Sequence, residues 1–113
     1  MSGLLVDSMK EVNVLAGYLR PEERVLALTG AQGEGFGVVA CTSQRLLFLF
    51  VGIVRKQVLE VDWHQAQAAI YNRSTRFLAV YTTRPTKRAV PAMAVRVSNA
   101  AEAASAAPRL DVM

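Results

Sequence analysis

The chain has 113 residues, 52% of them hydrophobic and 19% charged, with a mean hydropathy of +0.24 and a formal net charge of +4. That is enough for one domain with one core, and it is too apolar and too weakly charged to stay disordered. A single cysteine, Cys41, and a single histidine, His64, exclude an internal disulfide and a Cys/His zinc cluster.

Near the start, Leu5, Met9, Val12, Ala16 and Leu19 recur at helical spacing, so an amphipathic helix is expected over 4–19. Arg20-Pro21 ends it, because the residue before proline disfavours helical angles. Asp7 stands where a secretory leader would carry basic residues, and the expected location is cytoplasmic.

Beyond Pro21 the pattern becomes short β-type segments separated by turn residues. Strands are expected over 24–29, 36–42, 45–51, 55–61, 65–71, 76–82 and, shorter, 87–91. Between the first two lies a loop over 30–35, and Ser43-Gln44 is short enough for a tight hairpin turn. In the third strand, Leu46, Phe48 and Phe50 face one way and Leu47, Leu49 and Val51 the other, so it is apolar on both faces and something must cover the second. The apolar run 46–54 is closed off by Arg45 and Arg55 and is about half the length a membrane-spanning helix needs. Asn99 with Glu102 fits a helix cap, and the alanines that follow are strong helix formers. A closing helix is therefore expected over 99–107, stopped before Pro108. The fold expected is mainly β: a seven-stranded antiparallel sandwich or small barrel over 20–108, preceded by the helix in 1–19 and followed by a frayed tail over 109–113.

Several patterns that carry chemistry elsewhere fall short. Gly30, Gly33, Gly35 and Gly37 lead into a strand rather than a helix and no lysine follows, so a hairpin loop is expected and not a phosphate cradle. Cys41 with His64 could form a nucleophile and base, but Cys41 sits inside an apolar strand, where cysteine behaves as a small hydrophobe. Asp62 and His64 near Ser43 lack a nucleophile elbow. Trp63, Tyr71, Phe77 and Tyr81 beside basic residues could stack on single-stranded nucleic acid, but strand-core packing is the better account of them. The expectation is a protein that is not an enzyme, with no cofactor, metal or small-molecule substrate.

The stretches Glu23-Arg-Val-Leu-Ala-Leu-Thr29 and Gly37-Val-Val-Ala-Cys-Thr42-Ser-Gln-Arg45-Leu-Leu-Phe48 resemble the short bacterial pleckstrin-homology-like (PH-like) domains. The likeness continues through 58–62, 68–70 and the closing helix, spans about 20–107, and is most specific at Thr42 to Phe48. It implies a seven-stranded bent antiparallel barrel closed by a C-terminal helix. It also implies a non-enzymatic binding or assembly module, some members of the family forming rings. Thr42 and Arg45 are carried over as hairpin and strand-end residues with a structural role. Eukaryotic relatives bind inositol phosphates through bases around the first hairpin loop. Here that loop holds no base and one acid, Glu34, so specific phosphoinositide recognition is not expected.

Residues 1–44 hold three bases and five acids, so the positive excess lies beyond them. Between Trp63 and Ala101 there is no acid, while Arg73, Arg76, Arg84, Lys87, Arg88 and Arg96 fall there. Ten arginines against three lysines, with an alanine-rich tail, fit a GC-rich bacterial or phage genome. The leading functional expectation is a self-associating interaction module in which Leu5, Met9 and Val12 of the first helix meet Leu47, Leu49 and Val51, within one chain or across to a neighbour. The alternative is peripheral binding of an anionic membrane surface through Arg73, Arg76, Arg84, Lys87 and Arg88. Non-specific nucleic-acid binding ranks third.

Overall fold

In a computed structural model of the chain, residues 13–84 and 88–113 are described. The body is mainly β, as expected. Eight strands form one open sheet: β1 (Val25–Gln32), β2 (Phe36–Thr42), β3 (Arg45–Val51), β4 (Lys56–Asp62), β5 (Ala68–Asn72), β6 (Phe77–Tyr81), β7 (Met93–Val97) and β8 (Asp111–Val112). Their order across the sheet is β4-β3-β2-β1-β7-β6-β5-β8. Every pairing is antiparallel except the last, β5 with β8. The all-antiparallel, seven-stranded expectation is thus corrected to a mixed, eight-stranded sheet.

The β2–β3 hairpin forms where turn chemistry and apolar alternation coincide. Val38 faces Leu49 and Cys41 faces Leu46 across the ladder. The Thr42 hydroxyl closes the turn by accepting from the backbone N–H groups of Arg45 at 2.9 Å and Gln44 at 3.1 Å. The β1–β2 loop is tighter than expected, because Gly30, Ala31 and Gln32 continue the strand and leave 33–35 to turn the chain. Bare backbone at Gly33 and Gly35 lets the loop lie against the Phe48 and Phe50 rings, which a Cβ at either position would meet at 2.5–2.7 Å. The glycine cluster therefore serves close packing.

Two apolar layers result from the two-faced third strand. On one side Leu46 and Phe48 join Val39, Val61, Tyr71, Leu78, Val80, Met93 and Val95 in the main core. On the other, Leu47 and Leu49 join Ala40 and Leu15, with Tyr18, Leu28, Val51 and Val58 packed around them. The helix α1 (Ala100–Ala106) lies over β1, β2 and β7 and buries Ala103 and Ala106. Its cap is as expected: Asn99 Oδ1 accepts from the Glu102 N–H at 2.9 Å. The reciprocal half of that motif is not made through Glu102 Oε2, which is buried without a partner.

Three local expectations change. The seventh strand is Met93–Val97 rather than 87–91, because Pro91 removes a ladder donor and the buried-exposed alternation begins only at Met93. The tail over 109–113 does not end frayed but pairs as β8 with Ile70 and Tyr71. Of the helix expected over 4–19, the first nine residues lie outside the described residues. Within them, 13–15 are helical, Ala16–Tyr18 is a 3₁₀ turn, and Leu19 is already extended.

Candidate functional site

Among the described residues the most connected polar group is a buried knot at the base of the β2–β3 hairpin. Arg45 donates from Nε to Glu23 Oε2 at 2.8 Å and from Nη2 to Glu23 Oε1 at 2.9 Å, the bidentate geometry that arginine forms with carboxylates. Nη1 donates to Glu60 and Nη2 also reaches the Tyr18 carbonyl. The Thr42 hydroxyl donates to Glu23 at 2.6 Å, and the Arg20 N–H at 3.0 Å. Burial alone would raise the Glu23 pKa, but its hydrogen bonds to Arg45, Thr42 and the Arg20 backbone hold it down at about 2. Glu23 in turn raises the Arg45 pKa against the opposing effect of burial. Both oxygens of Glu23 are occupied by the fold, so this constellation pins the segment before β1 to β2, β3 and the 3₁₀ turn and leaves no lone pair for a substrate.

Cys41 and His64 both border a cleft of about 600 Å³, lined also by Leu26, Trp63, residues 66–69 and residues 107–109. Cys41 is buried, and that burial pushes its thiol pKa up, the reverse of what a nucleophile needs. Trp63 is fixed by donating from Nε1 to the Thr42 carbonyl at 2.9 Å. Among the described residues no group of three or more His, Cys, Asp or Glu is placed to hold a metal ion, and none of their helices is long and apolar enough to cross a membrane.

The residues expected to mediate self-association divide. Leu5, Met9 and Val12 lie outside the described residues. Leu47 and Leu49 are buried in the layer that Leu15 of the same chain completes, and Val51 is half-buried beside them. The apolar face does not stop there. Phe36 shares a face of β2 with Ala40 by strand alternation and is 57% exposed. At the neighbouring β3–β4 turn, Ile53 and Val54 are 102% and 92% exposed. The sequence signal was available: two large aliphatics directly after Gly52, at a hairpin tip where polar residues are the rule.

The expected basic face also divides. Arg73 and Arg76 sit in the β5–β6 turn, and Arg96 on β7 lies opposite Phe77, close by. Arg84 and Arg88 sit in the β6–β7 connection, at the other end of the same strands, and Lys87 lies outside the described residues. A five-residue strand, about 16 Å, separates the two groups. Strand direction points the β6–β7 connection the same way as the β1–β2 and β3–β4 turns, and Arg55 and Lys56 are exposed at the last of these. Comparisons of the chain with protein-family models, curated proteins and solved structures find no match.

Proposed function

We propose that this chain is a non-enzymatic PH-like interaction module that self-associates through the outer face of β1–β4. Three features support the fold part of this reading: the β4-β3-β2-β1-β7-β6-β5 order, the alanine helix lying over β1, β2 and β7, and the structural use of Thr42 and Arg45. The observation that carries the functional part is the continuity of the outer apolar face, buried under Leu15 and Tyr18 at one end and open at Phe36, Ile53 and Val54 at the other. Open apolar surface continuous with a packed layer favours a partner. The rim carries both signs, Glu34 and Arg55, which a two-fold axis near Phe36 can set opposite each other. Sedimentation equilibrium tests this. The chain should dimerise, and Phe36→Ser should weaken the dimer about tenfold or more. A chain that stays monomeric to about 1 mM overturns it.

A second reading, docking on an anionic membrane surface, is favoured by the β3–β4 tip itself. Ile53 and Val54 project among exposed Arg55 and Lys56, with Arg84, Arg88 and the exposed Val90 in the connection at the same end. Apolar tips ringed by bases suit the boundary of an acidic bilayer. Here co-sedimentation with phosphatidylserine vesicles should fall steeply with salt, and equal partitioning onto neutral phosphatidylcholine vesicles overturns the reading.

A further inference from the structure

The two edges of the sheet are protected very differently. β4 carries Lys56 and Glu60 along its length, the charged side chains that discourage strand addition. β5 reads Ala68-Ala-Ile-Tyr-Asn72, with no charge and no proline. Its edge is covered over a short stretch by the two-residue β8, with Ile70 opposite Asp111 and Tyr71 opposite Val112. The Met113 N–H donates to the Tyr71 carbonyl at 2.8 Å, and the Arg73 N–H donates to the Met113 carbonyl at 3.2 Å. Leu110 anchors this tail against the main core, while Asp111, Val112 and Met113 are exposed. Towards the start of β5 the cover ends, and Ala68 and Ala69 line the 600 Å³ cleft with Trp63, His64, Ala107 and Pro108.

We propose that the β5 edge and the cleft leading to it form one docking groove for an extended peptide. The peptide would lie parallel to β5 with an aliphatic side chain in the place of Leu110, and the chain's own tail is the occupant now seated there. Sheet-edge addition supplies affinity through main-chain hydrogen bonds, and a side-chain pocket supplies selectivity. Both parts are present: a sheet edge whose Tyr71 carbonyl and Arg73 N–H the tail now engages, and an apolar seat at Leu110. From Ala68 to Arg73 the groove is about 17 Å long, room for a peptide longer than the two residues of β8. A tail held by so short a ladder opens locally at small cost, so a competing strand can take its place. The proposal rests on reading the chain as an interaction module but not on self-association.

The test uses a fluorescein-labelled peptide, Pro-Arg-Leu-Asp-Val-Met, the sequence of residues 108–113. It is titrated by anisotropy into the full chain and into a chain ending at Arg109. The shortened chain should bind, and the full chain should bind at least about tenfold more weakly, because its tethered tail competes at roughly millimolar effective concentration. A peptide with alanine in place of Leu110 should bind about tenfold more weakly than its parent. Where shortening unfolds the chain, full-length Leu110→Ala/Met113→Pro decides, since it empties the apolar seat and removes the donor to Tyr71. Its Arg73 amide should exchange about tenfold faster with β2–β3 protection unchanged, and it should bind the peptide at least about tenfold more tightly than the unaltered chain does. A folded, tail-released chain that binds no peptide by about 1 mM, or binds it equally with the tail in place, overturns the groove. Peptide uptake by a strictly monomeric chain upholds the groove and removes self-association, and the reverse pattern removes the groove alone.

Discussion

Glu23 is a carboxylate whose side chain has 0% exposure, facing an arginine whose side chain has 5%. An ion pair so placed is costly to assemble and costlier to break, since removing one partner strands the other charge. Its pH dependence follows from the Glu23 pKa, which stands near 4.5 in the unfolded chain and near 2 in the folded one. A lowered folded-state value contributes stability above the unfolded pKa and loses it as the pH falls from about 4.5 to about 2, on the order of 3 kcal/mol in all. Urea unfolding should therefore show a midpoint that declines across that window. Glu23→Gln should lower stability at pH 7 by about 3 kcal/mol and flatten the decline below pH 4.5. An unchanged acid slope in that variant would show that another carboxylate sets it. Thr42 and Arg45 were legible in the sequence as a hairpin motif, and Glu23 opened the other stretch that carries the family resemblance. What could not be read was that the three meet, because the contact joins residues 22 positions apart through a fold not yet formed.

Strands were legible in proportion to how strongly one short window combined alternation with turn residues. Phe36–Thr42 and Arg45–Val51 match their expected bounds because Ser43-Gln44 separates two uninterrupted apolar runs. β7 was displaced because the basic stretch before Pro91 mimics an edge strand, whereas Met-Ala-Val-Arg-Val alternates only weakly in hydropathy and takes its character from burial. β8 was invisible: two residues carry no period, and their pairing exists only because β5 offers an edge. The outer apolar layer was foreseen from the two-faced β3; the exposed tip was legible in the aliphatic pair after Gly52 but was missed, and the cleft was not legible, since it forms only in the assembled sheet. The same distinction separates glycines that look alike in sequence. A Cβ at Gly37 would drive into the Leu49 carbonyl of the neighbouring strand, whereas one at Gly17 meets nothing within 4 Å. Gly37→Ala should cost about 2–3 kcal/mol through overpacking the β2–β3 ladder, and Gly17→Ala should stay within about 0.5 kcal/mol of the parent. Equal melting temperatures for the two variants would mean that the hairpin relaxes to admit the methyl.

At the scale of the whole molecule, the positive charge that composition presents as a single quantity is divided between two ends of the β6–β7 strands. Arg73, Arg76 and Arg96 gather at the β5–β6 turn; Arg84 and Arg88 join Arg55 and Lys56 at the other end. A flat anionic surface can meet only one end at a time, because charges more than about 8–10 Å from it are largely screened at physiological salt. Among the described residues the second end carries the more open apolar side chains, Ile53, Val54 and Val90, against the half-exposed Phe77 at the first, so the membrane reading assigns contact there. Each base close to an acidic surface contributes about 1 kcal/mol. Reversing Arg55, Arg84 and Arg88 to Glu should therefore weaken binding to phosphatidylserine vesicles by 100-fold or more, since about 3 kcal/mol already corresponds to roughly 150-fold. Reversing Arg73, Arg76 and Arg96 changes net charge by the same amount but leaves the contacting end intact, so its effect should stay within about threefold at physiological salt. Equal losses in the two triple variants would mean that vesicles respond to net charge alone, and the tip would then have no special part in binding. A larger loss in the Arg73 variant would move the contact to the β5–β6 turn, where Phe77 is the exposed apolar side chain available to accompany it.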